Sequence, residues 1–256
     1  LLCMNQLVNM AAKLRYMSSG VHSVPLVVRA AIGRSWGQGA QHSQAFHSYF
    51  MHVPGIKVVA PTTPHDAKGC LIASIRDKNP VIFVEHRMLY SNVGYVPEEL
   101  YEVEFGKGRV LIEGTDITLV GVSYTVTDCI RASLALKEIG ISAEVIDPVS
   151  LSPIDYELIR KSANKTKKVL VVDNGWLTCG FAAEVIADLG INCKDLDLDR
   201  MGYLESPCPT TRVLEDGFYP SPESVAIKAN TMCGGDSNWK PENISRKEIN
   251  SFKGPF

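Results

Sequence analysis

The sequence predicts an α/β protein of two parallel-sheet domains, and three features of its patterning carry that expectation. Apolar runs of strand length recur without polar alternation, which is how strands buried on both faces read. Segments of helical period lie between them. The pattern lapses once, from Ser91 to Lys107, into a Gly/Pro/acidic stretch, and then resumes.

The elements follow in order. Leu7, Met10, Ala11 and Leu14 mark one face of an opening helix that stops near Ser18-Ser19-Gly20. Val24 to Ala31 reads as a buried strand, and Ile56 to Ala60 as another. Thr63 then offers an N-cap and Pro64 a first helical residue, opening a helix through Ile75. Pro80 to Glu85 is a third strand. Beyond the lapse, strands are expected at Ile117–Ser123, Ala143–Val149, Lys168–Asp173 and Asp195–Asp199. Helices are expected at Asp128–Ile139, Ile154–Ser162 and Ala182–Leu189. The expected division is a first domain over 1–92, a linker over 93–107, a second domain over 108–232 and a polar tail over 233–256.

Composition bounds the class. At 256 residues the chain has room for a core that buries roughly 73% of its extended surface without metal or disulfide staples. Apolar residues are 45%, charged residues 21% and the net charge −2, which gives no footprint for a polyanionic partner and no disordered composition. The seven cysteines contain no CxxC pair, so a zinc ribbon or thioredoxin-type site is not expected, and they read as reduced thiols. No apolar run approaches the ~20 residues of a membrane-spanning helix. The chain opens Leu1-Leu2-Cys3-Met4, without an initiator Met and already in a helical pattern, so a fragment is expected.

Two places could carry chemistry. Gly33-Arg34-Ser35-Trp36-Gly37-Gln38-Gly39-Ala40-Gln41-His42 follows a strand, where α/β sheets bind ligands. It is neither a P-loop nor GxGxxG, and it reads equally as a ligand loop or a structural turn. His42 at its end is a candidate proton carrier or a structural histidine. His42, His47 and His52 recur every five residues, which scatters them around a helix. Asp77 and Asn79 sit where a helix ends before a strand. They could hold a hard cation, although turn chemistry explains them locally.

Several stretches, taken as words, are similar to one family. Asn5-Gln6-Leu7-Val8-Asn9 with Ala11-Ala12-Lys13 resembles the DQIxNxAAK helix of the beta subunits of thiamine-diphosphate-dependent 2-oxo acid dehydrogenases. VPLVVRA, GAQHSQ, PGIKVVAPTTPHDAKG, SIRDKNPVIFVEH, EGTDITLVG, EVIDPVSLSPID and KTKKVLVVDNGW follow in the family's order, out to about Met232. The resemblance implies a partial pyrimidine-binding domain of transketolase type, followed by a transketolase C-terminal-like domain. It implies that His42 lines the substrate channel near the thiazolium and assists acyl transfer to lipoyl. It implies a potassium site at Leu26, Ser74, Ile75, Asp77 and Asn79, mostly through backbone carbonyls. Magnesium and diphosphate are implied in an alpha partner, within an α2β2 heterotetramer that acts on a pyruvate-type 2-oxo acid and serves a lipoyl acyltransferase.

The departures are specific. The family's activating glutamate and the aromatic that packs on the pyrimidine lie upstream of the position matching Leu1, so this chain alone is expected to be inactive. IDLRT reads Ile146-Asp147-Pro148-Val149-Ser150, and Cys208-Pro209-Thr210-Thr211 also departs. These leave open a non-catalytic assembly chain, or a biosynthetic thiamine-diphosphate enzyme without a lipoyl acceptor. The expected setting is a bacterial cytoplasm, with the mitochondrial matrix as the alternative.

Overall fold

The computed structural model describes residues 2–34, 37–242 and 244. A π-helical stretch, Gln6–Ala11, runs into α1 (Ala12–Met17). The first sheet holds β1 (Val27–Ile32), β2 (Lys57–Val59) and β3 (Val81–His86), all parallel, in the order β1-β3-β2. Between its strands lie the short helices α2 (Gly39–His42) and α3 (His47–Met51), and the longer α4 (Pro64–Arg76). Thr63 caps α4 as expected: its Oγ1 accepts from the Asp66 N–H at 3.0 Å, and Pro64 opens the first turn where no N–H is needed.

The second sheet runs β4-β6-β5-β8-β9, with β4 (Arg109–Ile112), β5 (Ile117–Gly121), β6 (Ala143–Asp147), β8 (Lys168–Trp176) and β9 (Asp197–Tyr203). Helices α5 (Tyr124–Glu138), α6 (Tyr156–Thr166) and α7 (Phe181–Asn192) make its crossovers, and α8 (Arg212–Phe218) and α9 (Pro222–Met232) follow β9. The α/β class and two-sheet plan therefore match the sequence. Each sheet also carries one antiparallel edge strand that the sequence did not signal. These are β4 against β6, and β7 (Ser150–Ser152) against β2. Beyond Met232, Trp239 and Ile244 pack on the core between β5, α5 and α9, while residues 243 and 245–256 lie outside the described residues.

Strand β7 belongs to the later half of the chain yet pairs into the first sheet. It gets there by a turn in which Val149 takes φ +54°, a left-handed backbone costly for a β-branched residue. The Asp147 carboxylate accepts from the Val149 N–H at 2.9 Å, and the Val149 carbonyl accepts from Ala60 N at 2.8 Å. One apolar core then crosses the seam. Ile32, Ala60, Ile82 and Val84 of the first unit join Val120, Val122, Ile146 and Phe181 of the second. Charged groups cross it too, with Arg109 of β4 pairing with the fully buried Asp66 of α4.

Asp147 shows what this burial costs. Burial first, then the nearby Asp66, raise its carboxyl from 3.8 to about 6, against the opposing Thr62 hydroxyl, Val149 N–H and Arg109. Between about pH 4 and 6 the folded chain keeps a proton that the unfolded chain has lost. Stability therefore falls as pH rises through that window and stays lower above it, by up to about 3 kcal/mol. Asp147→Asn should flatten this slope and raise unfolding stability at pH 7.5 by about 2 kcal/mol, with Thr62 near enough to accept from the new amide. Urea unfolding of both proteins from pH 4.5 to 8 checks this, and parallel curves would contradict it.

Candidate functional site

The Gly-rich segment leaves the C-terminal end of β1, the edge at which open α/β sheets bind ligands. Its ends are closed by the Gly33 N–H, which donates to the Gln44 carbonyl at 3.2 Å. Gly33 stands at φ +72°, and a Cβ there would lie 2.3 Å from His86 Nε2, so only glycine serves both the turn and the contact. Gly39, at φ +65°, has Thr210 Oγ1 2.6 Å from where its Cβ would be. The departing Cys208–Thr211 stretch of the second unit is thus the floor on which the loop rests. Ser35 and Trp36 lie outside the described residues.

The three histidines of the five-residue spacing meet three environments. His42, at the end of α2, is exposed, and its backbone carbonyl accepts from Arg87. His47 is buried to 1% and lies 3.1 Å, Nε2 to Oδ1, from the fully buried Asp173 on β8. The other oxygen of Asp173 accepts from Ala182 N at 2.9 Å, at the start of α7. His52, the C-cap of α3, is exposed. An exposed imidazole on a braced loop can exchange protons with a ligand, whereas His47 holds the seam.

The brace includes residues that no local pattern announces. His86 ends β3, stacks on Tyr124 at 4.8 Å between ring centroids, and accepts from Met88 N at 3.2 Å through Nδ1. Burial, then the charges of Arg87 and Arg34, lower its pKa from 6.5 to about 3, so the ring is neutral and Nε2 carries its proton. Arg34, buried to 3%, pairs with Asp216 of α8 and lies over the Tyr219 ring at 5.2 Å. Their one clue in sequence was position, with Arg34 two residues beyond β1 and His86 the last residue of β3.

Leu26, Ser74, Ile75, Asp77 and Asn79 come together at the corner where α4 ends and β1 and β3 begin. The Leu26 carbonyl accepts from Val81 N at 2.8 Å and the Ser74 carbonyl from Asp77 N at 3.3 Å, each keeping a second lone pair. Asp77 accepts from Asn79 N at 2.8 Å, the turn chemistry expected locally, and its other oxygen pairs with Lys57. With that carboxylate balanced by an ammonium, a cation at this corner would be held by carbonyl oxygen.

Three carboxylates near the loop are engaged, while Glu215 of α8 keeps one buried oxygen without a hydrogen-bond partner among the described residues. Glu85 holds Arg29 and Tyr90, Asp173 holds His47 and Ala182 N, and Asp216 holds Arg34. Among the described residues no group of three His, Cys, Asp or Glu is placed to hold a metal ion.

Comparison with known proteins decides the family. Residues 4–92 match the transketolase pyrimidine-binding domain, and residues 106–225 the transketolase C-terminal domain. The chain is 39% identical over 235 residues to the beta subunit of acetoin:2,6-dichlorophenolindophenol oxidoreductase of Bacillus subtilis, covering 91% of this chain and 69% of that one. It is 40% identical over 233 residues to the mitochondrial pyruvate dehydrogenase E1 component subunit beta of Caenorhabditis elegans, covering 88% and 66%. The chain belongs to the E1 beta-subunit family of the 2-oxo acid dehydrogenases. Among solved structures, a split-gene transketolase described as an inactive beta4 tetramer aligns with TM-score 0.70 at 21% identity, over 90% of this chain and 73% of that one, which shows the shared fold.

Within this E1 beta frame the loop should be intolerant of a methyl group at its origin. Gly33→Ala would force Cβ into the His86 ring from a left-handed backbone, at a cost of about 2–3 kcal/mol. The expected result is a Tm lower by about 4–8 °C. An unchanged Tm would contradict the contact.

Proposed function

We propose that this chain is the beta subunit of a thiamine-diphosphate-dependent 2-oxo acid dehydrogenase of pyruvate type. It decarboxylates its substrate oxidatively and passes the acyl group to lipoyl, with an alpha partner in an α2β2 heterotetramer and a lipoyl acyltransferase as the next carrier. The observation that carries this reading is His42, exposed at the end of a braced loop beside the seam of two transketolase-type domains. Thiamine diphosphate, bound with magnesium chiefly by the alpha partner, supplies the electron sink for decarboxylation. The part of this chain is to hold and move a proton at the His42 imidazole and to keep the imidazole in place, so the chain alone is inactive. The reading places the protein in a bacterial cytoplasm, with the mitochondrial matrix as the alternative.

His42→Ala in the assembled heterotetramer should slow acyl transfer to a lipoyl acceptor by about 10²–10⁴-fold, the usual weight of a positioned acid–base group, while cofactor still binds. Turnover at the wild-type rate would overturn the assignment.

The reading also assigns a potassium ion to the corner formed by Leu26, Ser74, Ile75, Asp77 and Asn79, supported by the gathering of their backbone there. A cation held only by the folded state stabilises it by about 2.7 kcal/mol at a hundredfold excess over Kd. At equal ionic strength the chain should melt about 5 °C higher in potassium chloride than in choline chloride. Equal melting would remove the site.

A further inference from the structure

The loop that carries His42 is held at both ends by one side chain. Arg87 is the first residue of the short 3₁₀ turn Arg87–Leu89 that follows β3, and it is half-buried. Its Nη1 donates to the Gly33 carbonyl at 3.1 Å and to the His42 carbonyl at 3.1 Å. An arginine terminal nitrogen has two N–H bonds set in a plane by the guanidinium, so one nitrogen can serve two carbonyls in a fixed fork. Lysine has neither the planarity nor the reach. The two carbonyls are nine residues apart and lie at the first turn of the loop and at His42 itself. Joining them fixes where the backbone of His42 stands relative to β1 and β3.

The neighbouring residue sets the direction of the fork. His86 Nδ1 accepts from Met88 N, which fixes the turn from which Arg87 extends, and its ring fills the space beside the Gly33 Cα. The Gly33 N–H closes the loop from the inside through Gln44. Among the described residues, no side-chain hydrogen bond or ion pair of His42 sets its position independently. Exposed side chains on short helices take their placement from the backbone, and the four residues of α2 are too few to hold it alone.

From this geometry we infer that Arg87 is a positioning residue for His42: its guanidinium clamps the Gly33 and His42 carbonyls and so sets the imidazole for proton transfer. The inference rests on the role of His42 proposed above, and it assigns the dependence of that role to a residue 45 positions away. Arg87 touches no reacting atom in this account. It acts through the loop.

The test uses three variants, Arg87→Met, Arg87→Lys and His42→Ala, and two readouts. Amide hydrogen exchange on the full chain reads the clamp without any partner. Arg87→Met should speed exchange at Gly33 and at residues 37–44 at least tenfold, with the amides of β5 and β8 unchanged. Arg87→Lys, which keeps the charge and loses the fork, should fall between. In the heterotetramer with a lipoyl acceptor, Arg87→Met should lower kcat about ten- to a hundredfold with KM for the 2-oxo acid held within twofold. Wild-type loop exchange in Arg87→Met would overturn the clamp. Loosened exchange with wild-type kcat would overturn its functional consequence. If Arg87→Met fails to fold, Arg87→Lys carries the same two tests. Failure of the parent reading looks different, because His42→Ala would then turn over normally whatever the loop does.

Discussion

Everything near His42 depends on one constraint: polar and charged groups are buried at a seam between two sheets, and each must find its partner across it. A buried charge without a partner costs several kcal/mol, so such pairs admit one relative placement of the elements that carry them. Asp66 of α4 meets Arg109 of β4, His47 of α3 meets Asp173 of β8, and Arg34 after β1 meets Asp216 of α8. None of these pairs is local in sequence. Around them the apolar core runs on from Val84 of the first sheet to Val120 of the second. The seam therefore behaves as interior, and the loop at its edge inherits that rigidity.

The arrangement divides two tasks between two histidines of similar sequence setting. His47 lies inside and joins α3 to β8 and, through Asp173, to the start of α7. His42 lies five residues earlier, outside, on a loop whose floor is Thr210 and whose wall is His86. The second unit is thus a support for the loop of the first. The stretch Cys208–Thr211, which departs from the common wording of the family, is the part of that support in closest approach to Gly39. The departure Pro148-Val149 serves the same seam, because the chain turns through a left-handed Val149 to lay β7 beside β2.

The parallel strands were legible because burial on both faces leaves a plain apolar run. All five residues of β5 are buried, and all are apolar but one threonine and one glycine. The edge strands β4 and β7 were not, since three or four residues of mixed polarity become a strand only when a partner is present to pair with. Helix α5 starts four residues before its expected first residue, because Ser123 at φ +53° turns the chain straight from β5 into the helix. At the site, the loop and His42 stood out by glycine content and by resemblance. Arg87 and the His47–Asp173 pair could not, because tertiary contact across 45 and 126 positions leaves no periodic or spacing signal. The five residues of the cation corner were gathered by resemblance, while their local reading as turn chemistry is also present in the Asp77–Asn79 bond.

The two sheets form one cooperative structure through this seam, and the His42 loop depends on it. Native-state hydrogen exchange in rising denaturant, read at the β3 and β5 amides, tests this most directly. Both strands should exchange through the same global opening, with the same free energy and the same denaturant dependence. Separate openings, with β3 exchanging at a free energy lower than β5 by more than about 2 kcal/mol, would contradict it.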